Sequence, residues 1–300
     1  MKTFVSMTKR NVKMFFKDKG MFFTSLITPA ILLVLYATFL AKVYRDSFSS
    51  NLPEGFEVSK SLINGMVGGQ LVSSLLAVSC ITVAFCSNLL MVQDKVNGVR
   101  KDFNVSPIKQ STLAMSYCVG TLITTLIVGF VSAGICFVYI ACVGWYLSFA
   151  DVLLVLLDMI LLSMFGTILA SIVNMFLTSN GQASAVGTIV SSGYGFISGA
   201  YMPISQFGVG LQRLLLFLPG TYGTSLLRNH ALNGVYKKMA STNFPPDVIE
   251  GIKDSVDCNL YFFGNKVSLG AMYAVLITSI VVLVGVFVLI NKLRKTKAKF

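Results

Sequence analysis

The chain has 300 residues, 55% of them hydrophobic and only 12% charged, with a formal net charge of +12 and a single histidine. Soluble domains carry about a quarter charged residues, so this composition excludes an ordinary soluble protein, and one histidine excludes a His-based metal site or triad built within the chain. A mean hydropathy of +0.76 points to an all-α integral membrane protein, a single domain over residues 1–300.

Residues 3–19 read as an amphipathic helix on the membrane surface. Lys9, Arg10, Lys13 and Lys17 cluster on one side, and Phe4, Met7, Val12, Phe15 and Phe16 cover the other. The first span is expected at about residues 21–41, with Pro29 as a tolerated kink. It is long enough to remain a span, and it lacks the small-x-small site of a cleaved leader. A polar loop over 42–61, with Asp46, Glu54 and Glu57, leads to a second apolar run at 62–91. That run exceeds one bilayer thickness, so it either tilts or projects.

Residues 92–111 form a charged island between two long apolar runs. Val92, Val96, Val99 and Phe103 fall at i, i+4, i+7 and i+11, a single apolar stripe on a helix. Asp94, Lys95, Asn97, Arg100, Lys101 and Asp102 take up the rest of its surface, and Pro107 stops it. An amphipathic helix held between two spans is expected to press against a partner protein. The third run, 112–143, ends at the interfacial aromatics Trp145 and Tyr146. A fourth span is expected at about 152–176, a polar turn at 178–182, a fifth span at about 183–201 and a sixth at 269–290, followed by Lys292, Arg294, Lys295, Lys297 and Lys299.

Six spans with both termini inside put six Lys/Arg of the N-terminal segment, four of the island and five of the tail on one side, against Asp18, Asp94 and Asp102. The entire +12 then falls on that side. Lys/Arg excess in short loops orients membrane proteins toward the cytoplasm, so the basic balance requires no nucleic acid.

Residues 202–231 do not fit a loop. Pro203 and Pro219 bracket a stretch too short to cross, and two short helices dipping into the outer leaflet are expected, with Arg213 and Arg228 snorkelling or pairing at the polar edge. The segment is either a wall of a pathway or a hairpin that closes the outer end. Residues 232–268 are expected as an extracellular loop. In the fifth span Ala183, Gly187, Ser191, Gly195 and Gly199 recur every fourth residue, a small-residue face that packs within the subunit, meets a second subunit or lines a path. Asp158, an acid inside a span, is a functional candidate, more as a structural or polar-substrate contact than for proton coupling. Five of six cysteines lie in apolar runs and no C-x-x-C occurs, so they read as small packing residues.

The order of parts resembles the six-span permease subunits of type-2 ABC exporters. Gln93 to Ile108, with an acidic-x-x-x-Gly connector followed by Ser106-Pro107-Ile108, is similar to that family's connector. Ser198 to Ile204 and Phe217-Leu218-Pro219 are similar to its small-x-Tyr-x-Pro and Phe-x-Pro marks around the outer hairpin. The resemblance implies a homodimer, or a pair with a sister subunit, bound to two cytoplasmic ATPase subunits. It makes Asp94, Lys95, Val96, Val99, Arg100 and Phe103 the coupling segment, with residues 3–19 beside it as a connecting helix.

The residues themselves contain no G-x-x-x-x-G-K-[ST] phosphate loop and no hydrolytic constellation. The chain is therefore expected not to be an enzyme, with ATP and magnesium on the partner. The expected activity is export of a hydrophobic or amphipathic substrate, a drug, peptide antibiotic or lipid-like molecule, as in multidrug efflux or antibiotic resistance, from the cell membrane. A lipid-linked polysaccharide exporter, a secondary transporter, and a non-transporting immunity or sequestering protein are the competing readings. The path would be lined by the first, second and fifth spans and capped by residues 205–227.

Overall fold

The computed structural model describes residues 1–50, 59–106, 108–242 and 244–297. Within them the chain is helical apart from one two-stranded ribbon. Helix α1 (Lys2–Lys17) is followed by α2 (Lys19–Leu35), which runs through a π turn (Tyr36–Leu40) into α3 (Ala41–Ser50). The remaining helices are α4 (Lys60–Asn88), α5 (Leu90–Val96), α6 (Val99–Val105), α7 (Gln110–Val143), α8 (Phe149–Phe176), α9 (Asn180–Ile197), α10 (Val209–Leu215), α11 (Pro219–Ser241), α12 (Pro246–Ser255) and α13 (Leu269–Lys297). Strands Tyr261–Phe262 and Asn265–Lys266 pair antiparallel just before α13.

Helix α4 is the axis of the molecule, packed against α2, α7, α8, α9 and α11. Beyond Lys60 it carries no charge and shows no single apolar stripe, as befits a helix buried on every side. Its small residues let neighbouring backbones approach: a Cβ at Gly69 would lie 2.9 Å from the carbonyl oxygen of Ala231 in α11. Two hydroxyls inside α4 turn back on their own helix, Ser73 to the Gln70 carbonyl at 2.9 Å and Thr82 to the Val78 carbonyl at 2.9 Å. Where α4, α7 and α8 converge, the Asn88 amide donates to Thr121 Oγ1 at 3.0 Å and Ser171 Oγ at 3.2 Å and accepts from Asn174 at 3.2 Å. At its other end α8 starts with a reciprocal cap between Ser148 and Asp151.

Among the described residues, five helical stretches are long and apolar enough to cross a membrane: Lys19–Val43, Lys60–Val96, Gln110–Val143, Phe149–Phe176 and Leu269–Leu293. The chain is a multi-pass membrane protein. The expected fifth span corresponds to α9, whose 18 residues are rich in Gly and Ser and which is not among the five. The polar loop expected from residue 42 is helical as far as Ser50. Glu54, Glu57, Pro107 and the side chains of Arg294, Lys295, Lys297 and Lys299 lie outside the described residues.

Two expected boundaries differ. The hairpin over 202–231 consists of a single 3-10 turn (Ile204–Gln206), the short α10 and the long α11, which continues ten residues beyond 231 because Leu232, Val235, Tyr236 and Met239 remain apolar at helical spacing and are buried. The region taken as a loop is ordered by α12 and the ribbon. All six cysteines are free, and only Cys142 is exposed.

Candidate functional site

The connector is two helices, not one. Asn97 ends α5, and Gly98 adopts φ +79°, a left-handed conformation that a residue with a Cβ adopts only with strain. The expected stripe from Val92 to Phe103 is therefore broken in the middle. Val92 is fully buried, Val96 is exposed, and Val99, Arg100 and Phe103 are half-buried.

The two halves are held differently. On α5, Asp94 is buried and takes both arms of the Arg10 guanidinium, at 2.5 and 2.9 Å, together with the Tyr117 hydroxyl of α7. Charge-assisted bidentate pairs of this kind are the stronger ones. Arg10 also lies over the Phe103 ring, 5.3 Å from its centroid. Lys95 donates to the carbonyls of Asn174, Met175 and Leu177 at 3.1, 2.8 and 3.0 Å. These carbonyls end α8, where Asn174 keeps a backbone donor, the Leu177 N–H at 3.3 Å, and positive charge is favoured. Asp94 and Lys95, expected in the coupling segment, are thus both bonded within the chain. On α6, Arg100, Lys101 and Asp102 form no ion pair among the described residues, and Lys101 and Asp102 are exposed.

Helix α1 does not simply float on a surface. Met7, Thr8, Asn11 and Phe15 are buried, and α1 packs on α7, where a Cβ at Gly120 would touch the Asn11 side chain at 3.0 Å. Phe16 remains exposed, so the apolar side of α1 is divided between protein and surroundings.

The small-residue row of α9 ends sooner than its spacing implied. Gly199 lies beyond the helix with φ +75°, as the left-handed residue that ends it, and the chain turns back so that Tyr201 N–H reaches the Gly195 carbonyl at 2.9 Å. The Tyr201 ring then covers Gly195, where a Cβ would lie 2.4 Å from it. Ser191 is half-buried and bonds back to the Gly187 carbonyl, and Gly187 itself lies close to Leu89. Of the row, Ala183 and Gly195 are buried within the chain and Gly187 and Ser191 are half-buried. A second row, Ser184, Thr188 and Ser192, is exposed.

Arg213 and Arg228 part company. Arg213 is exposed, over the Phe263 ring at 5.5 Å. Arg228 is wholly buried rather than snorkelling, because acceptors surround it: the carbonyls of Val256 and Gly199 at 2.6 and 2.8 Å, and Asp257 at 3.4 Å. Asp257 in turn accepts from the backbone N–H groups of Ile204 and Ser205 at 2.5 and 3.1 Å. One ion pair so ties α9, the 3-10 turn, α11 and the segment after α12. Asp158 is fully buried and is joined to His230 Nδ1 and to the Tyr273 hydroxyl, each at 2.6 Å. The sequence showed the acid but not its partner, 72 residues away.

A family model described as ABC-2 type transporter matches residues 2–231. Among curated proteins none matches the chain.

Proposed function

The chain belongs to the ABC-2 type transporter family, and from that premise we propose that it is the membrane-spanning subunit of an ATP-driven exporter, energised by separate ATPase subunits that carry ATP and magnesium. The observation that carries this reading is the divided connector. Its first half is fixed to α1, α7 and α8, and its second half offers Arg100, Lys101 and Asp102 with no internal partner among the described residues. A partner that seats on α6 and moves it acts through Gly98 on a unit already clamped to two long helices.

In this reading α9 is the sixth crossing helix, both termini and the connector are cytoplasmic, and α10 with the start of α11 lies toward the outer leaflet. The exposed hydroxyl row of α9 would be poorly placed against lipid, which supports contact with a second permease subunit or a path. A pocket of about 500 Å³ between the π turn and the chain after α9 is lined by Leu35, Phe39, Leu40, Tyr201, Met202 and Pro203. Its apolar walls support a hydrophobic or amphipathic substrate leaving the cell membrane.

The test is Val96→Asp and Phe103→Asp, each made in the full chain together with its ATPase. Insertion should be retained while the ATPase no longer co-purifies and ATP-dependent transport in vesicles is lost. Normal co-purification with both variants would overturn the assignment.

A further inference from the structure

At the end of α8 remote from the connector lies an open cavity of about 630 Å³, lined by α8, α11, α12 and the start of α13. Leu154 on its wall and Asn174 beside the connector are twenty residues apart on α8, about 30 Å at the helical rise. The cavity is therefore separate from everything assigned above to coupling.

Its floor is His230, whose side chain is 9% exposed. Nδ1 is taken by Asp158, and Nε2 has no partner among the described residues, yet it is not sealed in protein. The protonation of this pair follows from burial. Asp158 is 0% exposed among apolar helices, and an uncompensated charge there is costly. The Asp158–His230 pair is neutral only when it holds two protons, either as imidazolium and carboxylate or as carboxylic acid and imidazole. With the Tyr273 hydroxyl donating to Oδ1, the carboxyl proton lies on Oδ2 against Nδ1, so in both arrangements Nε2 carries a hydrogen and the cavity presents a donor.

The rest of the lining has the same preference. Glu250 is compensated twice, by Lys253 at 2.9 Å and Lys266 at 2.6 Å. The exposed Lys237 has no hydrogen bond or ion pair among the described residues. Asp151 feels its charge, but that carboxylate already accepts from Ser148 and Asn233. Apolar walls come from Leu154, Ile249 and Leu269. The donors repel a cation, and no group of three His, Cys, Asp or Glu suited to a metal occurs among the described residues.

We infer that His230 and Lys237 form an anion-binding site that takes a carboxylate or phosphate group carried on an apolar body. A free amphiphilic anion and a phospholipid headgroup share this chemistry.

His230 is the only histidine in the chain, so its imidazole can be observed alone. The full chain, labelled with ¹⁵N-histidine in phosphatidylcholine nanodiscs, is titrated with inorganic phosphate, acetate and octanoate. The Nε2 resonance should shift saturably, octanoate should bind at least about tenfold more tightly than acetate, and Lys237→Ala should weaken binding about tenfold, the factor equivalent to about 1.4 kcal/mol. A shift produced by phosphatidylglycerol discs with no added anion assigns the site to a lipid headgroup, and a shift only on adding octanoate or phosphate assigns it to a free anion. Lys237 is exposed, so its loss leaves the fold intact, and the histidine signal itself reports that. An Nε2 resonance indifferent to every probe in both lipids, or equal affinity in Lys237→Ala, overturns the site. Neither result depends on the ATPase, so failure here is distinct from failure of the transport reading.

Discussion

Asp94 joins Arg10 across 84 residues of sequence, and through Tyr117 it joins both to α7. One carboxylate thereby fixes the position of the first helix relative to the connector. Asp94→Asn leaves a partly buried guanidinium without a counter-charge, which is more damaging than the loss of an exposed pair. The expected loss is about 2 kcal/mol, reduced from the fully buried case because Arg10 retains 28% side-chain exposure. Thermal unfolding in detergent checks it, and the double variant with Arg10→Ala should be less destabilised than the sum of the singles. An unchanged midpoint for Asp94→Asn contradicts the clamp.

Lys95 serves the end of α8. Lys95→Ala removes the ammonium from three carbonyls, of which Asn174 keeps a backbone donor, at a cost of about 1–2 kcal/mol. Amide exchange should accelerate at residues 175–179, while ATPase co-purification survives. Loss of the ATPase with normal exchange there would instead make Lys95 a partner contact.

Gly195 is fixed by the ring that covers it. Gly195→Ala places a methyl group 2.4 Å from Tyr201 and should destabilise by about 1–3 kcal/mol. Tyr201→Ala in the same chain should recover most of that loss, measured as the melting midpoint. No recovery would mean that Gly195 faces something other than Tyr201.

Glu250 provides a pH dependence outside the spans. Lys266 and then Lys253 hold its carboxyl down, from 4.5 to about 2. A depressed carboxyl contributes stability above the ordinary value and loses it as the pH falls through the folded value. Because Glu250 is 46% exposed and screened by water, the amount is about 0.5 kcal/mol. Exchange protection of residues 261–266 should fall between pH 5 and pH 2, and Glu250→Gln should flatten the dependence. A wild-type profile flat over that range would show that the ribbon does not rely on these pairs.

Long apolar runs were readable because a span is a local property: α7 and α8 lie within three residues of where hydropathy puts them, and α13 starts where expected and runs on to Lys297. Pairings were not. Arg228 carries the same residue type as the exposed Arg213, and only the fold brings carbonyls of residues 199 and 256 around it. The periodicity of 92–103 was real, but a stripe counted by spacing assumes an unbroken helix, and one glycine removes that assumption. The same applies to Gly199, which has the right interval and lies outside the helix. His230 offered no pattern at all, since its partner lies on another helix and acquires meaning only through burial.

The left-handed residue in the connector has a further consequence. A Cβ at Gly98 would meet nothing within 4 Å, so this joint is open rather than wedged. Before it, Asp94 and Lys95 are bonded to α1, α7 and α8, and after it Phe103 rests against Arg10 while Lys101 and Asp102 stay exposed. If α6 seats the ATPase as proposed, its exposed Lys101 and Asp102 can diverge to suit a new engine without the membrane body being rebuilt. Exchanging Val99–Val105 between relatives should therefore carry engine preference with it and leave cargo preference behind.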